Sequence, residues 1–146
     1  ITAVAPLWEK VGTEWNTILP TQADADLQIN TIAHTEMVIN LGSSMVFDYV
    51  AHNKSCAFIN YDVASENLKN WSVKKIYDYV HFRSMPNKTA VLWINNPESI
   101  AGIIESAVVG DRPFIKSAQQ WFELINEHPA SEASRRIWTS IKKIIS

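Results

Sequence analysis

The sequence holds one cysteine, Cys56, set in an apolar run. A single thiol closes no internal disulfide, so the expected setting is reducing and cytoplasmic. Charge of one sign is also scarce. The net charge of −2 excludes a nucleic-acid binder held by bulk positive charge. No apolar run approaches the roughly 20 residues that a membrane span needs. There is no Walker-type loop, no GxGxxG, no GxSxG elbow and no Cys/His cluster at zinc spacing. The expectation is therefore no metal and no cofactor. Asn53, Asn70 and Asn87 open Asn-x-Ser/Thr sequons, which read as chance matches because no signal peptide is recognisable.

What is present is an ordinary globular composition, 47% hydrophobic and 19% charged, on a chain long enough to build one cored domain over residues 1–146. The chain opens at Ile1 with ITAVAP, as if a strand were already under way. The expectation is a fragment of a longer protein. Residues 1–5 read as a buried strand stopped by Pro6, and residues 15–19 as a second strand stopped by Pro20. Residues 24–34 read as a helix, with Thr21 as its N-cap and Asp24 and Asp26 suited to its N-terminus. Residues 113–126 and a last segment after Pro129, capped by Ser131, are helical. In the last helix Ile137, Trp138, Ile141, Ile144 and Ile145 form one apolar stripe, which reads as buried. Residues 73–80 suggest a short helix, or a lid over a site, in an aromatic and polar stretch. Residues 89–94 read as a strand, followed by a helix that Pro97 opens and Gly110 stops.

The chain is organised around residues 37–62, MVINLGSSMVFDYVAHNKSCAFINYD. Residues 37–41, apart from Asn40, are apolar on both parities, as in a parallel strand covered on both faces, and residues 56–60 read as the next strand. The stretch between them exceeds the roughly 10–12 residues of a crossover, so a βαβ unit is predicted. Alternating strands and helices give α/β with a parallel sheet. Gly42-Ser43-Ser44 opens the crossover helix at the carboxyl end of the first strand, where open α/β sheets bind ligands. Gly42 permits a positive φ, and the hydroxyls and amides beside it suit an anion. Simple N-capping by serine is the alternative. Asp48 fits no capping box, which leaves the helix dipole or a ligand. Asp62 closes the second strand at the same edge, either to accept ligand hydroxyls or to form a turn. His34 and His52 sit near helix ends, and His81 is the histidine best placed to meet a ligand. Arg112 reads as solvated.

The pattern Ser43-Ser44-x-x-Phe47-Asp48-Tyr49, then Lys54, an apolar strand and Tyr61-Asp62, resembles the donor-side motif of the GT-B glycosyltransferases. It is most similar to the branch with the CDP-glycerol:glycerophosphotransferases and bacterial surface-polysaccharide transferases. The resemblance is specific over residues 27–62 and architectural elsewhere. It implies a Rossmann-like three-layer domain, a parallel sheet with helices on both faces and C-terminal helices packed back on it. This would be the C-terminal, donor-binding half of a two-domain enzyme. By the same resemblance, Gly42, Ser43 and Ser44 would contact the donor phosphates. Asp48 would support the ribose side or the loop, and Asp62 would sit near the transferred group. The general base, and the route to an acceptor glycan or lipid-linked acceptor, would come from an N-terminal domain. Relatives often carry His-Pro where this chain has Ala5-Pro6, which favours a sugar-nucleotide donor over CDP-glycerol, and the family's usual carrier makes UDP the expected nucleotide. Three other readings stand beside it: a CDP-dependent polyol-phosphate transferase, a non-catalytic α/β regulatory or adaptor module, and a last helix that touches the inner face of a membrane.

Overall fold

The computed structural model describes residues 2–14, 16–63, 71–109 and 112–145. The chain divides into two compact units, Ile1–Thr35 and Glu36–Ser146.

In the first unit, β1 (Glu9–Lys10) pairs antiparallel with β2 (Ile18–Leu19). Helix α1 (Gln22–His34) follows. Thr21 is its N-cap as expected: its Oγ1 accepts from Asp24 N at 3.1 Å and donates to the Leu7 carbonyl at 2.7 Å. Asp24 in turn accepts from Leu7 N at 2.9 Å. The opening run is not a buried strand. Residues 2–5 pair with nothing and are exposed, Val4 at 66%. An apolar run becomes a strand only against a ladder partner. Pro6 supplies no donor, and the next amide, Leu7 N, is taken by Asp24. Of the second expected strand only Ile18–Leu19 forms, and Trp15 lies outside the described residues.

The second unit holds three strands, β3 (Met37–Asn40), β4 (Ser55–Ile59) and β5 (Leu92–Ile94), paired in parallel in that order. Val38 faces Cys56, and Ile59 faces Ile94. Helix α2 (Met45–Ala51) joins β3 to β4, so the predicted βαβ unit is present. The expected α/β class holds as a mixed fold, with a three-stranded parallel sheet flanked by helices. β4 is central and buried on both faces, which is why its sequence does not alternate. Cys56 and Phe58 join a core with Val46, Val50, Phe82, Ala118 and Trp121. On the other parity, Ser55 Oγ donates to the Ala107 carbonyl of α5 (Ile100–Val108) at 3.4 Å.

Helix α6 (Pro113–Asn126) packs on α2 through Trp121, which is fully buried and meets Phe47 edge-on at 4.8 Å. The Trp121 indole N–H donates to Ser84 Oγ at 2.9 Å, so its polar end is satisfied. Truncating a Trp so placed costs about 3–5 kcal/mol.

The expected helix over residues 73–80 is two short turns, α3 (Lys74–Tyr77) and α4 (Val80–Arg83), broken where Tyr79 is extended. The expected strand over 89–94 starts late. Asn87 caps a 3₁₀ turn at Lys88–Ala90, its Oδ1 accepting from Thr89 N at 3.0 Å, and uses up the first half. The stop expected at Gly110 lies outside the described residues. The last helix, α7 (Ala133–Ile145), follows a 3₁₀ turn at Ala130–Glu132 that includes Ser131. Its stripe is not buried: Ile137 is 60% exposed, Trp138 62% and Ile144 83%. No described residue of α7 is buried, so this helix does not pack back on the sheet as expected. Periodicity shows that a helix has an apolar face and is silent on what covers it.

Candidate functional site

The three parallel strands end at one edge, each with an asparagine: Asn40 in β3, Asn60 after β4 and Asn95 after β5. Each asparagine ties that edge together. Asn40 Oδ1 accepts from Ser43 N at 3.0 Å, and its Nδ2 donates to Cys56 Sγ at 3.4 Å. Asn60 Nδ2 donates to Asn95 Oδ1 at 2.8 Å, across two strands that the Ile59–Ile94 register places side by side.

The Gly42-Ser43-Ser44 turn sits at this edge, as predicted. Gly42 takes φ +58°, the left-handed conformation that a side chain disfavours. A Cβ there would collide with Ile76 Cγ2 and lie 3.3 Å from the Tyr77 ring. The aromatic segment thus rests directly on the turn. Ser43 Oγ accepts from Met45 N at 3.2 Å, while Ser44, at the N-cap position, makes no side-chain cap. Two of the turn's amides, Ser43 N and Met45 N, are therefore already bonded inside the turn.

Asp62 anchors the segment that covers the turn. Its Oδ1 accepts from Val73 N at 2.6 Å and its Oδ2 from Ser72 Oγ at 2.9 Å. The Val73 bond, then the Ser72 bond, hold its carboxyl below the usual aspartate range, with a smaller contribution from Lys74. Asp48 is exposed on α2. Partial burial pushes its carboxyl up, and His52 one turn later opposes this. The structure joins Gly42 and Asp62 through α3, which Asp62 anchors and whose Ile76 covers Gly42. It gives Asp48 no bond to either.

Beside this turn lies a pocket of about 560 Å³, lined by Asn60, Lys74, Tyr77, Asp78, Lys88, Trp93 and Asn95. Its aromatic wall is rigid. Tyr77 and Trp93 meet edge-on at 4.9 Å. The Trp93 indole donates to the Lys88 carbonyl at 2.7 Å, and the Tyr77 hydroxyl donates to the Ile59 carbonyl. Burial, and secondarily the neighbouring Cys56, push the Tyr77 phenol up to about 12, so it stays a donor. Two lysines against one aspartate give the pocket a positive balance. The Asn60–Asn95 bridge engages one polar end of each amide, which leaves Asn60 Oδ1 and Asn95 Nδ2 for a ligand.

A larger open groove, about 880 Å³, runs between the end of α2 and α6. It has one lysine against two glutamates, and Glu123 already accepts from Ala130 N at 2.7 Å. Gly42, Ser43, Ser44, Asp48 and Asp62 line neither this groove nor the smaller pocket. The His81 ring lies tilted at 4.0 Å from the Phe82 ring and lines neither cavity. Cys56 is buried, and burial pushes its thiol up to about 12 against the opposing Asn40 bond, so it is protonated and unreactive at neutral pH. Among the described residues no three His, Cys, Asp or Glu side chains gather to hold a metal ion. No helix among the described residues is long and apolar enough to cross a membrane.

The pocket residues Asn60, Lys74, Lys88, Trp93 and Asn95 were not apparent from the sequence. The signal that could have found them is the asparagine closing each strand. Fold and site together define a mixed α/β unit that carries a positively biased, aromatic-walled pocket at the carboxyl edge of its parallel sheet. Comparison with family models, with curated proteins and with solved structures returns no match.

Proposed function

We propose that this edge binds the nucleotide-diphosphate part of an activated donor, a UDP-sugar. The chain then serves as the Rossmann-like, three-layer donor half of a GT-B glycosyltransferase that builds surface polysaccharide. The observation that carries this reading is the pocket at the carboxyl edge, with Lys74 and Lys88 over an Asn60–Asn95 floor and a Tyr77–Trp93 wall. Lysines neutralise phosphate, amides read hydroxyls or a base edge, and an aromatic wall takes a planar ring. Open α/β sheets bind ligands at this edge.

In this reading Gly42, Ser43 and Ser44 seat a donor phosphate once Ile76 moves off Gly42. Asp62 acts by holding α3, and Asp48 supports the loop. Transfer to an acceptor oxygen needs stabilisation of the departing nucleotide phosphate, which Lys74 and Lys88 supply. The general base and the acceptor site belong to another part of the enzyme.

The test is an NMR titration of the chain with UDP, a UDP-sugar and CDP-glycerol. The expected outcome is movement of the Trp93 indole and the Ser43 and Ser44 amides with the UDP ligands, weakened about tenfold or more in Lys88→Ala, the size of one charge-assisted bond. If no nucleotide shifts these signals at millimolar concentration, the reading fails. A response to CDP-glycerol alone would assign the polyol-phosphate class instead.

A further inference from the structure

We propose that α7 lies in the plane of an anionic lipid surface, its apolar stripe in the headgroup region and its basic residues on the phosphates. Ile137, Trp138, Ile141, Ile144 and Ile145 fall within one arc of the helix, and all five are exposed. The 13 described residues of α7 run about 20 Å, and no helix among the described residues is long and apolar enough to cross a membrane. Its charge is of one sign. Arg135, Arg136, Lys142 and Lys143 are its charged residues and no acid lies within the helix, although Glu132 pairs with Arg135 and Glu127 with Arg136 from outside it.

The placement of those charges matches an interfacial helix. At 3.6 residues per turn, Arg135 and Lys142 border one side of the stripe, and Arg136 and Lys143 lie across from it. Arg136 also fixes the base of the helix, its guanidinium donating to the carbonyls of Asn126, Glu127 and Pro129. Arg135 pairs with Glu132. Lys142 and Lys143 carry the positive charge in the last turn. A helix with a strong apolar face, low overall hydrophobicity, flanking Lys/Arg and an indole at the boundary is what binds an interface. An acidic protein surface would match the basic residues but leave the isoleucines to be matched separately. An anionic bilayer offers both layers at once.

The experiment is flotation of the chain with phosphatidylcholine vesicles and with vesicles enriched in phosphatidylglycerol, alongside Trp fluorescence. Expected are capture by the anionic vesicles, a blue shift, and loss of capture at high salt. Each basic residue near such a surface is worth about a fivefold gain in partition, so K142Q/K143Q should weaken capture about 25-fold. I141D/I144D should abolish it. Because no described residue of α7 is buried, both variants keep the wild-type circular dichroism. Equal capture by neutral vesicles, no capture, or a dimer that I144D disperses without any vesicle binding would each overturn the proposal.

Discussion

Gly42 is the residue with least freedom to vary. Its φ of +58° costs an L-residue about 1–2 kcal/mol, and Ile76 occupies the space a side chain would need. Gly42→Ala should lower the unfolding free energy by at least that amount, read as a lower urea midpoint with no change in m, and Ile76→Ala in the same chain should recover part of the loss. A midpoint unmoved by Gly42→Ala would contradict the close approach. The need for Gly42 was legible in the sequence only by half. A glycine before two serines announces a turn, but nothing local announces that Ile76, far along the chain, rests on it. Asn60 and Asn95 were hidden for a related reason. An asparagine after a strand reads as a turn former. Only the register of β4 against β5 turns two such residues into the floor of a pocket.

At the scale of elements, α3 is a short helix that depends on one carboxylate. The Val73 and Ser72 bonds favour the charged form of Asp62 and depress its pKa in the folded chain. That contribution is fully present above the ordinary aspartate value of about 4. It declines as the pH falls through the window between that value and the depressed one, and is gone below it. Hydrogen exchange at residues 73–77 should therefore speed up on acidification through this window, beyond the intrinsic pH trend. Asp62→Asn should show the fast behaviour already at neutral pH. The elements legible from sequence were those whose pattern is local: α1 with its Thr21 cap, α6 with its apolar period, and β3 and β4 as strands, although β3 is an edge strand with no buried residue and lacks the two-sided cover expected of it. Residues 2–5 and the stripe of α7 were misread alike. Their composition states that burial is favourable, and says nothing about whether a partner is at hand.

For the whole molecule, the division at residue 35 has a direct consequence. The sheet, its core and every residue of the candidate pocket lie in the second unit. A chain of residues 36–146 should keep the near-UV circular dichroism of the Trp121 and Trp93 environments and melt cooperatively. Loss of that signal would show that the sheet depends on the first unit for its folding.

The seat of Ile76 on Gly42 also sets how any affinity measured at that turn should be read. On the proposed reading, molecules with the seat filled and molecules with it vacated are two populations, and only the second admits a phosphate. The observed dissociation constant is the intrinsic one divided by the vacated fraction, so a vacancy of about one in a hundred hides a hundredfold tighter site. A smaller side chain at position 76 would then raise apparent affinity while removing nothing that touches the ligand.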